Sequence, residues 1–327
     1  MSLRIIQITL PAERKKTMIQ IAETHNALDI WWEPKNEDGI RTISILVDHH
    51  NQQTILDSIQ THMGDNTDWR AVLLPVEASL PKQEKTKEIR KFKWRKSLTR
   101  EELYQEIANG AEGDLLFYLM VFLSTIVAAI GLIQDNVAIV IAAMVIAPLL
   151  GPNLALSFAT ALGDKPLILK SFLTCVGGLI AAIIPCIILG HFLPVDLGSA
   201  ELFARTNIDY AAIILALASG AAAVLSLTTG VSSALVGVMV SVAVLPPAAA
   251  FGIYIGLNQF NLAIDSGFLL LTNLASVGLS AQIVLAFMGI RPRTFLEKRS
   301  ANQSSLVQIG ICAILLAIIS IIIAYKN

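Results

Sequence analysis

Two proline clusters are the residues whose type and spacing could do chemistry. One is Pro148-Leu-Leu-Gly-Pro152-Asn153, within IAAMVIAPLLGPN (141–153); the other is Pro246-Pro247, within VGVMVSVAVLPPAAA (236–250). Both lie in runs apolar enough for a bilayer. A proline inside a helix has no N–H, and its ring clashes with the carbonyl four residues back. Pro148 therefore frees the carbonyl of Met144, and Pro246 and Pro247 free those of Val242 and Ala243. In hydrocarbon such groups are costly unless protein, water or a solute satisfies them. A helix restarting near Gly151, Pro152 and Asn153 would also offer free N–H groups and the positive end of its dipole. The implied chemistry is the holding of a small solute, with no bond made or broken.

The polar residues around these breaks are neutral. No Asp, Glu, Lys or Arg lies deep within an apolar run; Asp135, Asp164, Asp209 and Asp265 sit at edges. Intramembrane carboxylates mark proton and cation relays, so their absence weighs against a proton-coupled carrier of that design. What remains is Ser124 and Thr125, Ser219 and Ser226, Ser241, and the stretch TNLASVGLSAQ (272–282). In that stretch Asn273, Ser276 and Ser280 follow i, i+3, i+7 spacing and share one helix face. For any single serine, hydrogen bonding among helices is the plain account. As a stripe beside two broken helices, these residues are expected to line a pathway. The expected pathway is thus Pro148, Gly151, Pro152, Asn153, Ser241, Pro246, Pro247, Asn273, Ser276 and Ser280, with the freed carbonyls of Met144, Val242 and Ala243.

Composition supplies the setting. The chain has 327 residues, of which 54% are hydrophobic and only 15% charged, with mean hydropathy +0.65. Soluble domains are about one quarter charged. Residues 1–110 are mixed and polar, whereas 115–327 are apolar runs with short breaks. The expected architecture is a soluble domain (1–80), a basic amphipathic linker (81–110) and a polytopic α-helical membrane domain (111–327). The apolar runs are 115–133, 137–162, 167–192, 210–228, 233–256, 266–288 and 306–325. Each suits a crossing of about 20 residues, which predicts seven spans. The segment before the first run is basic, and the loop after the sixth carries Arg291, Arg293, Lys298 and Arg299. The positive-inside rule then places the N-terminus in the cytoplasm and the C-terminus outside.

Shifting the chain by 95 residues lays Met144 on Met239, Val145 on Val240, Leu150 on Leu245, Pro152 on Pro247 and Ala155 on Ala250. The same shift carries runs one, two and three onto four, five and six. Three spans are an odd number, so the second set enters from the opposite side. This predicts a 3+3 inverted repeat with one extra helix, the arrangement in which paired breaks point to a midplane site.

In the N-terminal part, LRIIQITL (3–10) reads as a strand and Pro11 opens a helix to about 26. Strands ALDIWWEP (27–34) and IRTISILVD (40–48), a helix over 51–63 and the strand WRAVLLPVEA (69–78) follow. The order βαββαβ is that of a ferredoxin-like sandwich. Trp31 and Trp32 are expected to serve as core plus interface. Residues 82–100 hold nine Lys or Arg; they satisfy the positive-inside rule and would attract anionic lipid head groups. Thr99 and Glu102 form an expected capping box for a helix carrying Leu103 and Ile107.

No cofactor is expected. Cys175, Cys186 and Cys312 lie in apolar runs as packing residues, and His49-His50 has no further ligand at metal-site spacing. There is no HExxH, no GxSxG and no carboxylate pair at depth, so no enzymatic activity is expected. No nucleic-acid partner is expected either. The small-residue stretches GGLIAA (177–182) and ASGAAA (218–223) allow close helix packing, and a homo-oligomer is expected.

The run LSTIVAAIGLIQDNVAIVIAAMVIAPLLGPNLALSFATALGD (123–164) resembles the bacterial and archaeal membrane family known as domain of unknown function 389. GIRPRTFLEKRSA (289–301) is similar to the segment after that family's sixth span. The resemblance implies an inner-membrane protein with a soluble N-terminal module, and it carries over no functional residue. Function is therefore expected from the repeat: a channel or secondary transporter for a small solute, anionic or neutral. The alternative is a membrane sensor or scaffold that reads a cytosolic ligand through residues 1–80 and transports nothing.

Overall fold

The computed structural model describes residues 3–36, 39–48, 51–64, 68–76, 100–229 and 233–288, with 79, 310 and 312. His49-His50, the linker up to Thr99, the segment 289–301 and most of the run 306–325 lie outside the described residues. The chain divides into two compact units, Met1–Glu102 and Leu103–Asn327.

The first unit contains β1 (Leu3–Pro11), α1 (Lys15–Thr24), β2 (Asp29–Trp32), β3 (Ile40–Asp48), α2 (Gln52–Met63) and β4 (Arg70–Val76). The antiparallel sheet has the order β2-β3-β1-β4. This is the β-α-β-β-α-β element order read from the sequence. Alternate residues of the two central strands, Ile6, Ile8 and Leu10 with Ile43, Ile45 and Val47, point to one face. There they bury Met18, Ile21 and Ala22 of α1 and Ile55, Ile59 and Met63 of α2. Pro11 ends the strand instead of opening the helix, and a short 3₁₀ turn, Ala12–Arg14, leads into α1. The tryptophans also depart from expectation: Trp31 is 42% and Trp32 44% exposed, so neither is core. Both belong to edge strand β2, where the sandwich ends. Lys15 Nζ lies 3.5 Å from the Trp32 ring centre, a cation–π contact.

The second unit is helical. After α3 (Arg100–Gly110) come α4 (Leu115–Ile133), α5 (Val137–Ile146), α6 (Leu150–Leu162), α7 (Lys165–Phe192), α8 (Ala200–Ala204), α9 (Tyr210–Thr229), α10 (Ser233–Gly256) and α11 (Phe260–Phe287). Leu103 and Ile107 of α3 are buried as expected. Four helices, α4, α7, α9 and α11, are long and apolar enough to cross a membrane. α5 and α6, bent by 54° at their junction, make a fifth if taken as one span. α10 is 24 residues long and carries no charged residue, and its stretch Val240–Gly256 is apolar. Of the seven spans expected, the described residues therefore give four or five.

The packing is that of a multi-pass membrane protein. On α7 the exposed stripe is Leu169, Leu173, Val176, Ile180, Ile184 and Ile188, while Ser171, Thr174, Gly178 and Ala182 are buried. Large apolar residues face outward and small or weakly polar ones inward, the reverse of a soluble bundle. α10 is buried all round from Val240 to Ala250 except at Val242, so it is the central helix. α7 packs along it closely, because a Cβ on Gly252 would lie 2.6 Å from Cys186 Cβ and 2.7 Å from the Ile183 carbonyl.

Candidate functional site

The site is built where the second apolar run breaks. Ala147, before Pro148, takes φ −69°, ψ 118°, an extended conformation. The pyrrolidine ring disfavours helical backbone at the preceding residue, so α5 ends at Ile146 and α6 restarts at Leu150. Met144, whose carbonyl Pro148 cannot serve, is buried in the last turn of α5. Pro152 is not a breaker. It occupies the third position of α6, where its missing N–H would have had no helical partner.

Two cavities flank the restarted helix. The larger, about 570 Å³, is lined by Ala147, Pro148 and Gly151, together with Glu106, Glu112 and Asp114. The smaller, about 330 Å³, is almost wholly apolar; Pro152, Asn153, Ser157 and Cys175 line it with Leu271, Ala275 and Gly278 of α11. The first turn of α6 and Phe117 belong to both walls. Two of the three carboxylates of the larger cavity are engaged. Glu112 pairs with Lys170 at 2.8 Å, and Asp114 caps α4 by accepting from Phe117 N–H at 2.7 Å. Asn153 donates to the Leu149 carbonyl at 2.9 Å, and its Oδ1 meets Cys175 Sγ at 3.6 Å.

Gly151 has a steric role. Its backbone crosses that of Gly110 at the end of α3, and a Cβ on Gly151 would lie 2.6 Å from the Gly110 carbonyl oxygen. Nothing in the sequence links the two glycines. Asn109-Gly110 reads only as a helix end, and its partner appears once α3 is placed.

The second proline pair behaves differently from the first. α10 runs unbroken through Pro246 and Pro247, so the expected symmetric break in the fifth run is corrected. The reason is visible at Ala243. Pro247 cannot donate to that carbonyl, and Asn273 of α11 supplies the missing bond through Nδ2 at 2.8 Å. The two proline regions are nonetheless brought together: Ser241 of α10 donates to the carbonyl of Ala147, in the break, at 3.2 Å. Both groups are buried.

The expected stripe on α11 is only partly assembled. Asn273 reaches Ala243, but Ser276 donates to the Thr272 carbonyl at 2.8 Å and Ser280 to that of Val277 at 3.1 Å, along their own helix. Ser280 sits where α9 crosses α11, against Gly220. It pads a helix crossing and does not face the break. The small-residue stretches likewise pack within the chain: Gly177 and Gly178 lie against Tyr118 and Phe117 of α4, and Gly220 against α11.

At the membrane edge, Tyr104 of α3 donates to Asp164 Oδ2 at 2.7 Å, while Asp164 Oδ1 caps α7 through Leu167 N–H at 3.1 Å. The hydrogen bond to Asp164 and, to a lesser degree, burial push the Tyr104 hydroxyl up to about 12.

Residues 144–279 match the family model described as "Domain of unknown function (DUF389)". The chain is also similar to an uncharacterized protein of Methanocaldococcus jannaschii, 35% identical over 99% of this chain and 100% of the relative. No solved structure matches it.

Proposed function

The chain belongs to the DUF389 family, and from its site we propose that it is a channel or secondary transporter for a small uncharged solute. The carrying observation is the 54° break between α5 and α6, which sets a helix start between two cavities. A broken helix at membrane depth is tolerated where it is buried in protein or lines a water-filled space. The break therefore marks the solute's route. Glu106, Glu112 and Asp114 on the larger cavity weigh against a small anion, and the apolar wall of the smaller favours a solute without charge.

The helix pairings support an inverted repeat of three spans: α7 packs on α10, while its counterpart α11 packs on α6, the counterpart of part of α10. In this reading the N-terminal domain is cytoplasmic and modulates transport. α3 would be the route, since Gly110 abuts Gly151 in the first turn of α6. The protein is not an enzyme in this reading, and its basic linker rests on anionic head groups. A non-transporting sensor is the competing reading; it predicts a ligand on residues 1–80 and no flux.

Flux from proteoliposomes tests the proposal, using uncharged, anionic and cationic solutes with and without sodium or proton gradients. Saturable flux of an uncharged solute is expected. It should fall in Pro148→Ala, which lets α5 continue into α6, and persist in Pro152→Ala, whose proline starts a helix. Unchanged flux in folded Pro148→Ala would overturn the midplane site. Absence of flux for every solute would favour the sensor.

A further inference from the structure

We infer that Gln282 is a hydrated polar contact of the permeation path, where an uncharged solute carrying both a hydrogen-bond donor and an acceptor is held. The identity of the solute rests on the transport reading above; the hydration rests on geometry alone. Gln282 lies near the end of α11, is 3% exposed, and neither its Oε1 nor its Nε2 has a hydrogen-bond partner. Its polar neighbours on the same helix each make at least one hydrogen bond, and of these only Asn273 keeps one buried atom, Oδ1, unpaired among the described residues. Ser266 donates to Leu262, Thr272 to Phe268, Ser276 to Thr272 and Ser280 to Val277, all to backbone carbonyls, and Asn273 reaches Ala243.

A carboxamide offers two donors and an acceptor oxygen with two lone pairs. Burying it with both ends unmatched carries the full desolvation cost of an amide, and most native proteins leave few such groups. Leucine or methionine would fill a similar volume without that cost. Contact with water or a polar solute removes it.

The position of Gln282 on α11 points the same way. Leu271, Ala275 and Gly278 line the 330 Å³ cavity beside the break. Gln282 follows them at i+11, i+7 and i+4, on the same helix face. It continues that stripe one turn beyond an otherwise apolar wall. A few placed polar groups on an apolar wall are what fix the orientation of a small ligand. The group is a neutral donor–acceptor, so it matches an uncharged amide- or hydroxyl-bearing solute and gives an unpaired ion no counter-charge.

Thiol accessibility tests this in the full chain. Gln282→Cys is made with Cys175, Cys186 and Cys312 changed to Ala, placed in lipid vesicles and treated with a charged methanethiosulfonate. The reactive thiolate forms in water and is suppressed in apolar surroundings, so modification about tenfold faster than at Ile283→Cys is expected. Ile283, next on α11, is 42% exposed on the apolar surface. An equal or slower rate at position 282 overturns the inference. Gln282→Leu is the second variant. It should melt no lower than the unaltered protein yet pass the transported solute about tenfold more slowly, a trade of function for stability. A higher melting temperature with unchanged flux overturns the inference. If the unaltered protein passes no solute, the transport reading fails. Fast labelling then upholds the hydrated site and removes its role in permeation.

Discussion

Asn273 Nδ2 donates to the carbonyl oxygen of Ala243 at 2.8 Å, the one bond that Pro247 takes away from α10. A backbone defect in one helix is thus repaired by a side chain of the next, and the central helix continues without a kink-releasing break. Proline in a transmembrane helix is tolerated when a neighbour serves the freed carbonyl in this way. This predicts coupling between Asn273 and Pro247, which act on the same carbonyl. Asn273→Leu should destabilise the protein by about 1–3 kcal/mol, the cost of an unsatisfied buried acceptor. In a Pro247→Ala background the same change should cost much less, because the backbone N–H restored at that position can reach the Ala243 carbonyl. Thermal melting of the four variants in detergent measures the coupling; additive effects would exclude the repair.

Gly151→Ala and Gly110→Ala should differ, although the two glycines face each other. A Cβ on Gly151 would press on the Gly110 carbonyl oxygen at 2.6 Å, whereas one on Gly110 would meet Gly151 Cα at 3.3 Å. The first contact demands that backbone move, and the second a few tenths of an ångström. Overpacking of this kind costs about 1–3 kcal/mol, so Gly151→Ala should show the larger loss of melting temperature. It should also alter flux, because it levers α3 from the helix start beside the break. Equal effects from both variants would contradict the crossing.

Much of this was legible from residue types, and the limits are physical. The strands of the first unit show period-two patterning, and Met18, Ile21 and Ala22 one turn apart, so the core could be read directly. Trp31 and Trp32 misled because an edge strand exposes both sides, and the sequence does not say which strand is the edge. Pro148 and Pro246-Pro247 both announce lost hydrogen bonds. Which one breaks its helix depends on whether a neighbour such as Asn273 supplies a donor, and that is a tertiary fact. The serines of α11 looked like a stripe, but a hydroxyl reaches the carbonyl of its own preceding turn, so spacing alone does not assign its partner. Gly110 carries no signal of Gly151.

Tyr104 links stability to pH at the membrane edge. Its hydroxyl is pushed up to about 12 by the bond to Asp164, against an ordinary value near 10. A raised acid holds its proton more tightly in the folded protein. Its contribution is therefore complete below about pH 10 and is lost as pH rises toward 12. The unaltered protein should lose melting temperature across that window by an amount that Tyr104→Phe does not show. Below pH 9 the two should differ by a constant, modest offset from the lost hydrogen bond. Parallel curves across the whole range would mean that Tyr104 and Asp164 do not interact in solution.

Asp135 makes the strongest case for a staple between the loops at the other end of the bundle. It has φ 54°, a left-handed conformation, and its Oδ1 accepts from Glu201 N–H at 2.7 Å and Ser199 Oγ at 3.2 Å. Ser199 also donates to the Leu132 carbonyl at 2.8 Å, so the end of α4 is tied to the start of α8. Asp135→Ala removes the oxygen that accepts both bonds and puts a residue with no left-handed preference at that φ. The expected cost is about 1–3 kcal/mol, summed from the lost cap and the strained backbone. Asp135→Asn keeps the acceptor and tolerates the conformation, so it should recover most of that loss, whereas Asp135→Gly should relieve only the strain. Melting temperatures in the order unaltered, Asn, Gly, Ala are expected, and Gly equal to the unaltered protein would mean that the hydrogen bonds across the two loops contribute nothing.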